Sequence, residues 1–147
     1  MKSLVNLIGA SVWFASVVSS ASAKELPRYG EFVFSDECVQ DNQSGDVQGD
    51  RFTLRRLRSG DIVIYQYGAG PFEGPITAEM VTINKKNSSI RIVVKDEWGV
   101  GATENQAGVD TIEGTISADK LVVTRRNGDT NVRILPRVPP GPVPTCK

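Results

Sequence analysis

Apolar and polar side chains alternate along residues 111–135, and this period of two predicts β-strands. Ile112 and Ile116 fall on one face of the first segment, with threonine and glutamate on the other. Asn127 and Gly128 separate the next two segments and favour a type I′ turn, because both of its central residues need positive φ. The pattern therefore predicts three antiparallel strands in sequence order.

The same kind of alternation predicts further strands upstream, with polar or glycine-rich breaks between them. These strands cover residues 31–34, 52–58, 62–67, 76–83 and 90–94. The chain that follows residue 23 shows no apolar stripe of helical period. We therefore expect an all-β fold, a small antiparallel up-and-down β-barrel of about eight strands, with a two-sheet β-sandwich as the alternative.

The predicted strand at residues 62–67 is apolar on both faces, with isoleucines on one face and Tyr65 and Tyr67 on the other. A strand of this kind is usually covered on both sides. Residues 136–147 are rich in proline, which favours an extended polyproline II conformation, and they include Cys146. We expect this segment to dock on Tyr65 and Tyr67. If it does not, the two tyrosines become candidates for binding an external partner.

Residues 1–23 have the pattern of a cleaved export signal. Lys2 precedes an apolar run over residues 4–18, and small residues at Ala21 and Ala23 form the cleavage site. The predicted organisation is then a signal peptide, a β-barrel domain over residues 24–135 and a proline-rich strap over residues 136–147. We expect a periplasmic or secreted monomer with no stable membrane anchor after cleavage.

The net charge of the chain and its two cysteines bear on the expected partners and on a predicted disulfide. Lys2 is the one charged residue of the signal, so the remaining chain keeps 16 basic and 17 acidic residues, a net charge of about −1, and nucleic acid is not an expected partner. Cys38 and Cys146 form an isolated pair near the two ends of the exported chain, which predicts a disulfide. Closing a loop of this length stabilises a protein by about 4.7 kcal/mol on the chain-entropy model.

The residue types in the chain exclude several kinds of catalytic and metal-binding site. The chain has no histidine, which excludes a serine-histidine-acid triad, a histidine-paired cysteine nucleophile and the usual catalytic zinc sites. The acidic residues of the predicted loop 36–50 do not have the spacing of a calcium-binding loop. Asp96 and Glu97 are adjacent, so on a strand they point to opposite faces and make a poor pair for glycoside hydrolysis. We expect no cofactor and no catalytic residues.

The predicted loop at residues 95–109 is the leading candidate for a binding site. It is long, contains glycines and carries Trp98, the one tryptophan beyond the signal segment. Buried aromatic side chains dominate the energetics of protein interfaces, so we assign Trp98 as the anchor and Asp96 and Glu97 as its polar rim. The competing interpretation places Trp98 in the core as a plug at one end of the barrel.

Two functions from different classes follow from these features. The first is a protein-binding module, for example an inhibitor that presents a loop to a hydrolase. The second is a binder of a small apolar ligand in the barrel interior, since an eight-stranded barrel encloses either packed side chains or one small ligand. A hydrolase that uses carboxylates is a third and weaker hypothesis.

The first prediction concerns processing. We expect the exported protein to begin at Lys24 and to carry an intramolecular Cys38–Cys146 bond, because the export signal and the isolated cysteine pair both indicate an oxidising compartment. Intact-mass measurement of the exported protein, with and without reduction, checks both points. A product of precursor length, or two thiols that react with an alkylating reagent before reduction, would contradict the prediction.

Overall fold

The computed structural model describes residues 24–40, 45–70, 75–96 and 108–147, and the predicted export signal lies outside these ranges. The described residues contain ten strands and no helix. The strands are β1 (Gly30–Ser35), β2 (Cys38–Val39), β3 (Val47–Leu57), β4 (Gly60–Gly70), β5 (Ile76–Thr77), β6 (Met80–Asn84), β7 (Ser89–Asp96), β8 (Gly108–Ile116), β9 (Lys120–Arg126) and β10 (Arg133–Val138). The all-β prediction is therefore confirmed.

The strands form one curled half-barrel sheet in the order β5-β4-β3-β1-β10-β9-β8-β7-β6, with β2 paired to β3. All pairings between these strands are antiparallel. Most neighbours are also consecutive in the chain, as expected for hairpins. The pairing of β1 with β10 joins the two ends of the described chain, with Val33 opposite Val138.

Alternation on each strand directs one face into the curl, where the core forms. On β3 the side chains of Asp50, Phe52 and Leu54 are buried while their neighbours are more exposed. This pattern follows the period of two that the sequence predicts. The core consists of Leu26, Phe32, Phe34, Phe52, Leu54, Val63, Tyr65, Ile90, Ile92, Val94, Ile112, Ile116, Leu121, Val123 and Leu135.

The segment before β1 is held at one end of the core. Leu26 is buried there, the backbone N–H of Ala118 donates to the Lys24 carbonyl at 2.9 Å, and Arg56 donates to the Pro27 carbonyl at 3.1 Å. Arg56 also pairs with Asp61 at 3.1 Å, so the guanidinium buried at this end has charged and neutral acceptors. The chain therefore makes structural contacts from Lys24 onward.

The turn between β9 and β10 is the one that the sequence predicts, whereas several strands end at other residues than predicted. Asn127 and Gly128 have φ of 48° and 87°, the positive values expected of their turn. The predicted loops 36–50 and 95–109 are shorter than expected, because β3 begins at Val47 and β7 and β8 extend into the second loop. The ends of these strands are rich in polar residues and glycine, as loops are, so the sequence pattern predicts loops there. Backbone pairing nevertheless continues through these residues.

The proline-rich segment is also shorter than expected, because β10 continues to Val138. Pro136 is tolerated within the strand since β1 pairs with β10 only at Arg137 and Val138, beyond it. Of the strap predicted at residues 136–147, only residues 139–147 lie beyond β10, and the name strap refers to these residues from here on. The backbone N–H groups of Val39 and Cys146 bond to Pro144 and Val39 carbonyls at 2.8 Å, which holds the end of the strap against β2.

The predicted disulfide is confirmed. Cys38 and Cys146 are bonded with an S–S distance of 2.06 Å, and 108 residues separate them in the chain. This bond is consistent with an oxidising extracellular environment. Among the described residues, no helix is long and apolar enough to cross a membrane.

The expectation that the proline-rich segment covers Tyr65 and Tyr67 is wrong. Tyr65 faces the core, whereas Pro140 and Val143 of the strap lie over the outer face of the sheet, near Val33 and Ile64. The expected cover on both sides of β4 is only partial, because the strap lies near Ile64 on the outer face while Ile62 is 39% exposed. Successive side chains on a strand point to opposite faces. Because Tyr65 faces the core, its neighbour Ile64 faces outward, and the strap lies on that outer face.

Candidate functional site

Five charged side chains meet at one end of the sheet, which we call the loop end. Here β7 ends opposite the start of β8, with Asp96 paired to Gly108, and β3 starts opposite the end of β4. Because neighbouring strands are antiparallel, the end of β1, the end of β9 and the start of β10 lie at this same end. The charged cluster consists of Asp36, Asp50, Asp110, Arg126 and Arg133.

Asp50 is the centre of the charged cluster, and its side chain is only 8% exposed. One carboxylate oxygen accepts from the Tyr65 hydroxyl at 2.8 Å, and the other accepts from Arg133. Arg126 lies 3.7 Å from the first oxygen. A buried carboxylate is tolerated only when it is paired and hydrogen-bonded, and Asp50 meets that requirement on both oxygens.

Asp36 connects Asp50 to Arg133 a second time. Its carboxylate accepts from the Asp50 backbone N–H at 2.7 Å and from the Arg133 guanidinium. The backbone approach depends on Gly49, which has φ of 107° and would place any Cβ 2.7 Å from the Asp36 carbonyl oxygen. A glycine before Asp50 therefore allows the two aspartates to bind the same arginine.

Arg126 extends the charged cluster toward β8 and the aromatic side chains. Its guanidinium donates to Asp110 at 3.0 Å and lies 5.3 Å from the ring centroid of Tyr65 and 5.9 Å from that of Tyr67. Both distances fit cation–π contacts. Asn127 donates from its amide to Asp110 and accepts from the Thr111 backbone at 2.8 Å, so the β9–β10 turn also joins the network.

The environment raises the pKa values of three members of this network, Tyr65, Arg126 and Arg133. Burial raises the pKa of Tyr65 above its ordinary value of 10.0, and the negative charge of Asp50 raises it further, which outweighs the effect of Arg126. Burial alone would lower the pKa of Arg126, but Tyr65, Asp110 and Asp50 raise it above its ordinary value. Tyr65 therefore stays a neutral hydrogen-bond donor, and Arg126 stays a cation.

The residues predicted for binding fall into three groups. Trp98 and Glu97 lie outside the described residues, while the Asp96 backbone is the last of β7. Tyr65 is 1% exposed and stacks on Phe52 at 4.7 Å, and Tyr67 stacks on Tyr65 at 5.9 Å. The assignment of Tyr65 as a surface for the strap or for a partner is therefore wrong, because its ring belongs to the core.

The sequence interpretation missed the charged cluster, although a signal for most of it was present. Asp50 alternates with Phe52, and Asp110 alternates with Ile112, so both aspartates occupy the apolar face of their strands. Arg133 alternates in the same way with Leu135. Charges in phase with core residues are seldom solvated, because they follow the core side chains inward.

The described residues contain no group of three or more histidines, cysteines, aspartates and glutamates arranged to hold a metal ion. The carboxylates of the charged cluster bind arginines instead. Comparison with known proteins found no matching family model, no similar curated protein and no similar solved structure. The geometry of this chain is thus the basis for proposing its function.

The second prediction tests the role of Asp50. We expect Asp50→Ala to lower the free energy of unfolding by about 2–3 kcal/mol, because it leaves the buried Tyr65 hydroxyl without its acceptor, whereas Arg133 keeps Asp36. Glu31→Ala is the matched control, since Glu31 is also a carboxylate paired with an arginine, Arg55, but both of these side chains are about half exposed. That variant should lose less than about 1 kcal/mol in urea unfolding. Equal losses in the two variants would contradict a central role for Asp50.

The third prediction concerns alkaline pH. The raised pKa of Tyr65 means that the folded state keeps its proton while the unfolded chain releases it. The stability associated with this group is fully present below about pH 10 and declines as the pH rises above it. Urea unfolding from about pH 8 to 11 should therefore show a smaller decline in Tyr65→Phe than in the unmodified protein. Identical slopes would show that Tyr65 ionises equally in both states.

Proposed function

We propose that this chain is an exported, non-catalytic protein-binding module, such as an inhibitor of a secreted hydrolase. Its binding surface is the connection from β7 to β8, with Trp98 as the anchor and Asp96 and Glu97 as the polar rim. The observation that carries the proposal is the register of the two strands. Asp96 pairs with Gly108, so the two ends of the intervening chain are fixed side by side at the loop end of the sheet.

The charged cluster supports a role as a rigid base for this connection. It links Asp110 on β8 through Arg126 to Asp50 on β3, and Asp50 in turn binds Arg133 on β10. A binding loop on a preorganised base loses less conformational entropy when it binds a partner. Pairing of each carboxylate with an arginine also favours a structural role over general acid or base catalysis, which needs a carboxyl group that can exchange a proton.

The packed interior supports protein binding over an apolar ligand in the barrel. Phe34, Leu54, Tyr65, Ile92, Ile112, Leu121 and Leu135 are all less than 2% exposed, and they fill the concave side of the sheet. Barrels of about eight strands have an interior that side chains alone can fill. Recognition is then expected on the outside of the molecule.

The strand pairing also supports a closed barrel, which we include in the proposal. The N–H of Ala78 donates to the Val63 carbonyl on β4, and the N–H of Glu79 donates to the Val93 carbonyl on β7, both at 2.8 Å. If β5 and β6 count as one bent strand, and β1 and β2 as another, eight strands follow each other around the barrel. A closed sheet leaves no free edge for self-association, in keeping with a monomer.

Export is supported by the contacts of Lys24 and Leu26 and by the disulfide. The Lys24 carbonyl accepts from the Ala118 N–H, and Leu26 is buried, so a chain cleaved after residue 23 keeps the segment that covers one end of the core. We therefore retain the periplasmic or secreted location as part of the proposal.

The fourth prediction tests Trp98. Trp98→Ala should leave the free energy of unfolding nearly unchanged and abolish binding, because an exposed anchor contributes to the interface and not to the core. Inhibition assays against a panel of purified secreted proteases and glycosidases measure the binding, and urea unfolding measures the stability. Leu57→Ala is the control, since Leu57 is exposed at the end of β3 opposite the loop end and should change neither quantity.

A core role for Trp98 gives the opposite result. Removing a large buried aromatic side chain costs about 3–5 kcal/mol, so a loss of that size in Trp98→Ala would contradict the proposed surface. Failure of the unmodified protein to inhibit any enzyme of the panel, together with that loss, would remove the support for an inhibitor.

A further inference from the structure

A groove lies between the strap and the outer face of the sheet, on the side opposite the core. It comprises two adjoining cavities of about 820 and 480 Å³, and both are lined by Glu37, Arg51, Pro140 and Val143. We call it the strap groove. Its size is typical of sites for small molecules, and its prolines and valines supply the apolar lining that such sites have.

The floor of the strap groove contains a carboxylate with one unpaired oxygen. The side chain of Glu37 is only 2% exposed, and its Oε2 accepts from Arg51 at 3.1 Å. Its Oε1 is buried and has no hydrogen-bond partner among the described residues. Glu37 is thus held by one ion pair, and within the part of the chain that the structure describes no donor reaches its second oxygen.

An unpaired carboxylate oxygen is costly in a buried position, because it has lost its hydration without replacement. The same protein meets this requirement elsewhere, since both oxygens of Asp50 receive donors from Tyr65 and Arg133. Glu37 is therefore an exception within this molecule. A donor supplied from outside the chain would remove the deficit.

We propose that the strap groove binds a small organic ligand with a primary ammonium head and an apolar chain. The ammonium donates to Glu37 Oε1, and the apolar chain contacts Pro140 and Val143. An ammonium suits this position better than a neutral hydroxyl, because charge-assisted hydrogen bonds are roughly twice as strong. An anion is disfavoured, because Arg51 is already occupied by Glu37 and the free oxygen carries negative charge.

The strap allows such a ligand to reach the carboxylate. It is anchored at one end by the pairing of Val138 with Val33 and at the other by the disulfide and by Pro144. The residues between these anchors span the groove as an arch. Because Glu37 Oε1 is buried, the proposal requires the arch to move aside when the ligand binds, while both anchors stay in place.

The fifth prediction is the direct test, carried out on the disulfide-bonded protein by isothermal titration calorimetry. n-Butylammonium should bind at millimolar concentration or better, whereas 1-butanol, which has the same chain and no charge, should bind at least about tenfold more weakly. Butyrate should not bind. Glu37→Gln keeps the shape of the side chain and should weaken n-butylammonium binding by about tenfold.

Glu31→Gln is the matched control. Glu31 also lines the smaller cavity, but it is half exposed and paired with Arg55, so this variant should bind n-butylammonium within about twofold of the unmodified protein. Equal binding of n-butylammonium and 1-butanol to the unmodified protein would overturn the proposal, as would unchanged binding to a folded Glu37→Gln. The comparison of the two ligands needs no variant, so it remains decisive if Glu37→Gln does not fold.

Discussion

The loop end of this protein depends on one buried carboxylate, that of Asp50. Burying its charge requires donors on both oxygens, and the chain supplies them from distant positions, since Arg133 is 83 positions beyond Asp50 in the sequence. Tyr65 donates from β4, while Arg126 and Arg133 approach from β9 and β10. One side chain on β3 thereby sets the relative positions of three other strands at the end where β7 and β8 are joined.

A second constraint lies in the short bend between β1 and β2. Three consecutive residues there make three different tertiary links. Asp36 binds Arg133, Glu37 binds Arg51, and Cys38 is bonded to Cys146. The bend therefore links the charged cluster, through Asp36, to the strap, through Cys38.

The strands were predictable from the sequence because a half-buried strand must alternate, and the Asn127-Gly128 turn and the cysteine pair have equally local signals. The face covered by the strap was not predictable, since β4 is apolar on both sides and the choice depends on the path of a segment more than 70 residues away in the chain. The charged cluster was predictable only in part. Asp50 and Asp110 were in phase with core residues, but recognising their partners requires the strand order, which brings β3, β9 and β10 together.

Stability and specificity have different sources in this fold. Buried ion pairs contribute little net stability, because desolvation offsets most of their Coulomb attraction, yet removing one partner is costly. The charged cluster therefore favours the arrangement of β3, β4, β9 and β10 that supplies Asp50 with its donors. Stability comes instead from the filled core and from the disulfide, whose 108-residue separation reduces the entropy of the unfolded chain. The filled core is thus what favours, in our proposals, recognition on the exterior over a ligand inside the sheet.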